Sequence, residues 1–496
     1  MSISRHTIKE DIRRLLDDEV GTRAPVGPAD RVALVYPSPY RTGMSSLGFL
    51  SIYRELAESG RGVERSFLPD DPAAYERTRT PLFTYESETP VGDFPVVALS
   101  VAYEIELAGM IQCLQLSGIP PLAADRTSRH PFILMGGPLT FSNPLPLAPF
   151  ADAVVMGEAD ELIHVVLDVI FGTSDREERL DLLAAIDGVF VPERHGDDMP
   201  AIAKVELDKL PAYATLRTPH TELSNMFLLE AERGCSRGCN YCVMRRSTNG
   251  GMRIVPMEKI LGLIPDDAKR VGLVGAAVSD HPKIAQIVET LADSGREVGL
   301  SSLRPDRLND RFVAALKRAG YRTLTTASDG ASDRLRDMVN RKARENHLLR
   351  AAELARTHQM KRMKLYMMVG LPGEGDDDID ELIRFSTELS TIVPLSLGIA
   401  PFVSKRNTPM DGLPFAGIDV VEQRLARLRA GVKGKVELRA TSAKWAWIEW
   451  VLAQGGRAEG KAVLAAVEGG KSYGAWKRAF EALPQSTPRR ALAIVS

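Results

Sequence analysis

Cysteine is scarce in this sequence, because a chain of 496 residues contains only four. So few thiols exclude the disulfide framework that stabilises small secreted domains, and they predict a protein of a reducing compartment such as the cytoplasm. At this length we expect two or three domains, each large enough to bury its own hydrophobic core.

Long apolar runs and a strong net charge are also missing. No stretch approaches the roughly 18 consecutive apolar residues of a membrane-spanning helix, so we expect no association with a membrane. The 63 basic and 65 acidic side chains leave a formal net charge of −2, which gives no reason to expect a nucleic acid as a partner. Residues 1–29 begin with a charged amphipathic helix rather than a signal peptide.

Three of the four cysteines lie together, in the segment Arg-Gly-Cys-Ser-Arg-Gly-Cys-Asn-Tyr-Cys. The spacing of Cys235, Cys239 and Cys242 lets three thiolates turn inward around one small centre, as in iron–sulfur sites. The fourth, Cys113, lies far upstream in an apolar stretch. The site therefore has three protein ligands where a closed cluster or a structural zinc has four, which leaves one position for a small molecule.

With an aromatic residue, Tyr241, before its last cysteine, the segment closely resembles the cluster loop of the radical S-adenosylmethionine (SAM) enzymes. The resemblance implies that the three cysteines hold a [4Fe-4S] cluster and that SAM binds its fourth iron. One electron then cleaves SAM to methionine and a 5'-deoxyadenosyl radical, which implies an electron donor such as flavodoxin or ferredoxin. A zinc knuckle completed by a histidine is the alternative, but no histidine lies between His220 and His281.

The N-terminal part of the chain contains short apolar runs separated by helical stretches, which is typical of a parallel sheet covered on both faces. The runs are 32–36, 96–100, 132–135 and 153–156. We therefore expect an α/β protein with a Rossmann-like parallel-sheet domain over residues 30–170 and a linker over residues 171–224. In such a sheet, ligands bind at the carboxyl ends of the strands.

Two segments at these strand ends, 36–48 and 136–161, resemble the cobalamin-binding-like domain that precedes the radical domain in one large subfamily. That resemblance implies a methyltransferase in which cobalamin delivers a methyl group to a carbon made radical. The sequence lacks the Asp-x-His-x-x-Gly motif that gives cobalamin an axial histidine, so bound cobalamin would lack that ligand. Whether cobalamin binds stays open, because a domain can keep its fold after losing its ligand.

Residues 225–410 continue the alternation of strands and helices. The predicted strands are 226–230, 270–274, 297–301, 323–327, 364–369 and 394–398. Six such units predict a partial (β/α)6 barrel, the radical SAM core, whose chemistry lies on the loops that follow the strands. The cysteine loop follows the first strand, as this rule requires. Residues 411–496 predict a helical C-terminal region.

The other candidate site residues come from the family resemblance, which implies contacts with SAM at later strand ends. Gly275, Ala276 and Ala277 stand where the family has Gly-Gly-Glu against the methionine amino group, so the acidic residue is missing here. The further candidates are Ser302, Arg304, Asp329 and Arg336 for the ribose and carboxylate, and Gly370, Gly373 and Glu374 near the adenine. Carboxylates accept from hydroxyls, and guanidinium groups bind carboxylates in bidentate fashion. No catalytic residue and no substrate is predicted.

Three kinds of function stay open at this point: a cobalamin-dependent radical SAM methyltransferase, a radical SAM enzyme without cobalamin, and a non-catalytic iron–sulfur sensor. The second kind includes methylthiotransferases and other hydrogen-abstracting enzymes. Family methylthiotransferases carry three more cysteines in the N-terminal domain for a second cluster, whereas this domain has only Cys113. A sensor needs no nucleotide-shaped pocket, so the strand-end glycines and arginines argue against the third kind.

Overall fold

The computed structural model describes residues 4–27, 30–244, 251–301 and 303–484. The chain divides into two compact units. The first comprises Met1–Phe227 and Gly455–Ser486, and the second includes Leu228–Gln454. Residues 455–484, although they follow the second unit in sequence, therefore belong to the first unit. No helix in these described ranges combines the length and the apolar character that crossing a membrane requires.

The first unit is built on a sheet that has six strands in the described residues, in the order β2–β1–β3–β4–β5–β6. The strands are β1 (Arg31–Tyr36), β2 (Gly62–Phe67), β3 (Val96–Ser100), β4 (Phe132–Gly136), β5 (Ala153–Val155) and β6 (Val189–Phe190). Neighbours pair in parallel except β5 and β6, which are antiparallel. All of β1 after Arg31 is buried, as expected for a central strand of a sheet with helices on both faces.

The N-terminal helices of this unit are α1 (Arg5–Asp17), α2 (Tyr40–Gly43), α3 (Leu47–Glu58), α4 (Pro72–Arg77), α5 (Glu106–Leu116), α6 (Leu162–Gly172), α7 (Arg176–Ala184) and α8 (Pro192–His195). The four predicted strands are present, whereas β2 and β6 were not predicted. The stretch 171–224 is not simply a linker, because it contains α7, α8 and the sheet strand β6. The polar sequence of α7 forms a helix that buries Leu180 and Leu183.

The second unit contains the predicted barrel strands. The six predicted strands are β7 (Met226–Glu230), β10 (Arg270–Val274), β11 (Glu297–Leu300), β12 (Thr323–Asp329), β13 (Arg362–Val369) and β14 (Leu395–Pro401). Strand β15 (Glu437–Ala440) was not predicted, and β8 (Glu232–Gly234) and β9 (Met252–Ile254) form a separate antiparallel ribbon. The barrel strands run in the orders β11–β10–β7 and β12–β13–β14–β15. A parallel bridge between Leu303 and Thr326 connects the two groups.

Helices of the second unit follow these strands. They are α9 (Met257–Gly262), α10 (Ile284–Asp293), α11 (Asp310–Arg318), α12 (Asp333–Met338), α13 (Glu345–Thr357), α14 (Asp376–Ile392), α15 (Ile418–Gly431) and α16 (Ala443–Gln454). Helix α11 shows why they form: Asn309 caps its first turn by accepting from the Phe312 backbone N–H, and one face buries Phe312, Val313 and Leu316.

The C-terminal region is mainly helical, as predicted, but it is not one unit. Strand β15 adds to the barrel sheet beside β14, while α17 (Arg457–Glu468) and α18 (Tyr473–Glu481) belong to the first unit. Gly460 allows α17 to approach the chain at Pro146, because a Cβ there would lie 2.2 Å from the Pro146 carbonyl oxygen. A division at residue 410 therefore does not separate compact units.

Candidate functional site

The cysteine loop leaves the carboxyl end of β7 and is closed at its base by the β8–β9 ribbon. In that ribbon Arg233 lies opposite Arg253. The backbone N–H of Ala231, between β7 and β8, donates to the carbonyl oxygen of Val274 over 3.1 Å. The position of Cys235, directly after β8, is therefore fixed relative to the end of strand β10.

The three cysteine side chains lie close enough to influence one another electrostatically. Cys239 is 7% exposed, and Cys235 and Cys242 are half-buried. Burial raises the pKa of Cys242 to about 11, and the charges of Cys239 and Cys235 act in the same direction. Burial also raises the pKa of Cys235. Such thiols become thiolates when a positive centre binds beside them.

This donor set fits an iron–sulfur cluster better than a zinc ion. In the part of the chain that the structure describes, no group of three or more His, Cys, Asp or Glu is arranged to hold a metal ion. A cluster takes each cysteine on a different iron, so its ligands surround a larger centre and need not converge on one point. No fourth ligand of the zinc-knuckle kind is supplied by these residues.

One side of the loop is held by the turn that follows α12. The backbone N–H of Asn240 donates to the carbonyl oxygen of Val339 (3.0 Å). The side-chain amide of Asn240 donates to the carbonyl oxygen of Met338 (2.7 Å). In return the Asn340 side chain donates to the carbonyl oxygen of Gly238 (2.7 Å). Asn340 has φ of 53°, a left-handed conformation that asparagine tolerates better than most residues. These reciprocal amide bonds fix the segment between Gly238 and Asn240.

Asp329, at the end of β12, is the second anchor of the loop. Its Oδ2 accepts from the Tyr241 hydroxyl (2.8 Å) and pairs with Arg341 Nε (2.9 Å). Burial and the charge of Asp329 raise the pKa of Tyr241, so its hydroxyl remains a donor. Arg341 Nη1 lies 4.0 Å from Cys239 Sγ. The carboxylate predicted to bind the SAM ribose thus contacts Tyr241 and Arg341.

Replacing Asp329 by alanine is expected to lower the affinity of the site for its cluster about 10- to 100-fold, as for other supporting residues around metal ligands. The substitution removes the acceptor of Tyr241 and the partner of Arg341. Resistance of the loaded protein to an iron chelator measures the effect. Asp293→Ala, which breaks an exposed pair with Arg318, is the matched control, and equal resistance in both variants would contradict the expectation.

The opposite side of the loop is anchored by an ion-pair network around Asp280, whose side chain is 4% exposed. Asp280 accepts from the Ser236 hydroxyl (2.9 Å) and from Arg304 Nη1 (2.6 Å). Arg304 also pairs with Asp306, which accepts from Arg237 Nη2 (3.0 Å). Arg304, predicted as a ligand of the SAM carboxylate, is therefore bound to two aspartates of the chain.

A shallow cleft opens beside Cys239. Four of its nine lining residues are basic, and the lining consists of Arg237, Cys239, Arg304, Pro305, Asp306, Asn340, Arg341, Lys342 and Ala343. A carboxylate-bearing ligand suits such a lining, because guanidinium groups bind carboxylates through two parallel hydrogen bonds.

The segment Gly275, Ala276 and Ala277 follows β10, as predicted, and it meets a glutamate that the sequence patterns did not single out. Glu232 Oε1 accepts from the Ala277 backbone N–H over 2.7 Å. Glu232 is fully buried, and burial raises its pKa to about 7. Ala276 is exposed at this turn.

The remaining candidates lie in turns of their own. Arg336 is 1% exposed and donates to the Gly330 carbonyl oxygen (3.1 Å) and to Asp333 (2.7 Å), so it supports the turn after β12. Ser302 lies outside the described residues. The role of Arg336 toward SAM stays a prediction.

The segment after β13 also closes on itself. Glu374 Oε2 accepts from the Gly370 backbone N–H (2.6 Å) and pairs with Arg424 (2.8 Å). Burial raises the pKa of Glu374 to about 7. Gly370 and Gly373 have φ of 82° and 67°, which glycine adopts without strain. Contacts of this turn with adenine stay a prediction.

Family comparison agrees with this geometry. Residues 48–192 match the family described as radical SAM proteins, N-terminal, and residues 230–386 match the radical SAM superfamily. The second match begins at the end of β7 and includes the cysteine loop and its anchors. The chain belongs to the radical SAM superfamily.

Curated relatives of this radical SAM protein are distant. An uncharacterized protein of Methanocaldococcus jannaschii is 26% identical over 390 residues, 77% of this chain and 79% of that protein. A ribosomal protein uS12 methylthiotransferase of Geotalea uraniireducens is 23% identical over 282 residues, 53% of this chain and 58% of that enzyme. The match to the methylthiotransferase thus spans little more than half of the length of that relative.

Solved structures share the fold of this radical SAM protein. The radical SAM methyltransferase TsrM of Kitasatospora setae, with cobalamin and a [4Fe-4S] cluster bound, superposes with a TM-score of 0.53 at 12% identity. That match covers 91% of this chain and 98% of TsrM. The cobalamin-dependent radical enzyme OxsB gives a TM-score of 0.50 at 13% identity, over 72% of this chain and 52% of OxsB.

Proposed function

We propose that this radical SAM enzyme holds a [4Fe-4S] cluster on Cys235, Cys239 and Cys242 and cleaves SAM reductively. The observation that carries the proposal is the three-cysteine loop, anchored on both sides at the carboxyl ends of the barrel strands. When bound, the cluster supplies the electron that generates a 5'-deoxyadenosyl radical, chemistry that protein side chains do not provide.

Side chains on both flanks of the cysteine loop hold it in place for the cluster. The amide bonds between Asn240, Asn340 and their carbonyl partners hold one flank of the loop, and the Asp280 network holds the other. Arg341 Nη1 lies 4.0 Å from Cys239 Sγ, so a charged donor stands beside this ligand. The cleft beside Cys239 is lined by three arginines that pair with aspartates of the chain and by Lys342, whose positive charge suits the carboxylate of SAM.

For the first unit we propose cobalamin binding and, for the whole enzyme, methyl transfer to a substrate still to be identified. Support comes from the cofactors and activity named for TsrM, whose fold extends over both units of this chain. The turn after β4 folds back tightly, because Gly137 has φ of 102° and a Cβ there would lie 2.6 Å from Val101 O. No histidine occurs in 37–46, 101–104 or 137–143, so these loops offer no axial imidazole.

Methylthiotransfer, the activity named for several distant relatives, is the second candidate. The family resemblance implies that a methylthiotransferase holds a second cluster on three further cysteines of its N-terminal domain. The sequence before Cys235 contains only Cys113, which is 1% exposed in helix α5. Burial raises the pKa of this thiol far above its usual value, so it remains protonated. The methyltransferase proposal is therefore better supported.

We further propose an electron-transfer protein such as flavodoxin or ferredoxin as the reductant, and the cytoplasm as the location. The cytoplasmic location is supported by the small number of cysteines, since reduced thiols and clusters persist in reducing compartments.

The experiment that tests the proposed function measures iron, sulfide and cobalt in protein purified without oxygen after expression with cobalamin. About four irons per chain and formation of 5'-deoxyadenosine from SAM are expected. Stoichiometric cobalt supports the methyltransferase, whereas iron without cobalt favours hydrogen abstraction without cobalamin. Iron with no cleavage of SAM under strong reductants favours the sensor, and protein that takes up no iron contradicts the assignment.

A further inference from the structure

Glu232 is a fully buried glutamate with one satisfied and one unsatisfied carboxylate oxygen. Oε1 accepts from the Ala277 backbone N–H, whereas Oε2 is buried and has no hydrogen-bond partner among the described residues. An unsatisfied buried acceptor costs free energy, and native proteins keep few of them. Oε2 therefore requires a hydrogen-bond donor that the described residues do not supply.

The charges around Glu232 indicate that the missing partner is positive. Its acidic neighbours Glu230 and Asp280 act with burial to raise the pKa of Glu232. Glu230 already pairs with Arg233 (2.7 Å), and Asp280 pairs with Arg304. No ion pair within the described ranges reaches Glu232 itself. A cation that entered beside Oε2 would relieve both the missing hydrogen bond and the acidic surroundings.

The strand-end turn is shaped to admit this carboxylate. A Cβ at Gly275 would lie 2.2 Å from Glu232 Oε1, so only glycine leaves room for the side chain at this point. The turn carries the exposed Ala276, and Glu232 lies three residues before Cys235. The carboxylate therefore lies at the turn that follows β10, on the segment that leads into the cysteine loop.

We propose that Glu232 binds the ammonium group of the methionine part of SAM and replaces the acidic residue that this chain lacks at position 277. An ammonium group has three N–H donors and a positive charge, which match one free carboxylate oxygen in acidic surroundings. This inference rests on the proposed function. Its new element is the source of the carboxylate, which comes from the ribbon strand β8 rather than from the loop after β10.

The test is SAM binding to the anaerobically reconstituted full-length protein by equilibrium dialysis. Glu232→Gln is expected to weaken SAM binding about 10- to 100-fold, the range for a hydrogen bond to a charged group. Gly275→Ala, which displaces the carboxylate without changing its charge, is expected to act in the same direction. Glu258→Gln, on a side chain that is 74% exposed, is the matched control and leaves binding unchanged.

A SAM analogue without the amino group separates binding of the ammonium from support of the loop. The wild type and Glu232→Gln are expected to bind this analogue equally, because the group that Glu232 contacts is gone. An equal loss of affinity for SAM and for the analogue in Glu232→Gln would instead assign a structural role and overturn the inference. The same comparison excludes an amine on the second substrate as the group that Glu232 binds.

Folding and cluster content complete the test. Glu232→Gln is expected to load iron normally and to melt at or above the temperature of the wild type without SAM, because the amide removes an unpaired buried carboxylate. Failure of this variant to fold would overturn the inference. Wild-type protein that loads iron but does not bind SAM contradicts the proposed function, whereas SAM binding that is equal in wild type and Glu232→Gln contradicts only the role of Glu232.

Discussion

Replacing Cys239 by alanine is expected to remove the iron–sulfur cluster and to reduce SAM cleavage to the background rate. Cys239 is the middle and most buried of the three cysteines, and its loss leaves two thiolates for a cluster that needs three from the protein. Because the cofactor carries the reaction, the effect on activity should be complete rather than partial. Iron and sulfide content, the visible spectrum and 5'-deoxyadenosine formation measure it.

Cys113→Ala is the matched control for this prediction. Cys113 is also buried, but it lies in helix α5 of the first unit, and its raised pKa keeps it protonated. The control should load iron and cleave SAM like the wild type. Wild-type iron content in Cys239→Ala, or loss of the cluster in Cys113→Ala, would contradict the assignment of the ligands.

Strands with a continuous or alternating apolar pattern could be predicted from the sequence. Strands stabilised by pairing with a neighbouring strand or by buried ion pairs could not. Strand β13 alternates exposed and buried residues along its length, so its period is visible in the sequence. Strand β15 has no buried residue, and its position follows from pairing with β14. Strand β2 is entirely buried although it carries Glu64 and Arg65, because partners distant in sequence neutralise both charges.

The metal ligands could be predicted because their pattern is local, whereas their supports depend on the tertiary fold. Three cysteines within eight residues can be recognised without knowledge of the fold. The Asp329 carboxylate, by contrast, meets Tyr241 from 88 positions away. Sequence patterns cannot distinguish an arginine or aspartate that binds a ligand from one that binds the chain.

Glu232 shows the same limitation. Its pairing with the turn at Gly275 joins segments about 45 positions apart, and nothing local marks it as different from the neighbouring Glu230. The one available signal was the missing acidic residue at position 277. An acidic side chain lost from one loop can be supplied by another segment that the fold brings to the same point.

Replacing Arg65 by methionine is expected to destabilise the first unit by about 3–5 kcal/mol, the usual cost of removing one partner from a buried ion pair. The Arg65 side chain is inaccessible to solvent and pairs with Glu19 Oε1 (2.8 Å) and Glu86 Oε1 (2.6 Å). Tyr53 covers the guanidinium at 4.9 Å. The substitution leaves the buried Glu86 without its cation and leaves Glu19 with only Arg23 (3.1 Å).

Hydrogen exchange of the β1 and β2 amides measures this loss within the first unit, because a global unfolding curve averages over units that need not unfold together. Arg77→Met, in an exposed pair with Asp71, should change stability by less than about 0.5 kcal/mol. Exchange that is equally slow in both variants would contradict the prediction.

At acid pH, the difference in the free energy of unfolding between Arg65→Met and the wild type is expected to decrease. Burial alone would raise the pKa of Glu19, but the charge and hydrogen bonds of Arg65 outweigh it, and the pKa is lowered from its usual value of 4.5. A lowered carboxyl pKa stabilises the folded state above the usual value, and the contribution is lost as the pH falls through the lowered one. In Arg65→Met this lowering of the Glu19 pKa is reduced, so the stabilities of the two proteins should converge as the pH falls below 4.5 and through the lowered pKa of Glu19. A constant difference from pH 7 to pH 3 would mean that packing around Arg65, rather than its charge, stabilises the sheet.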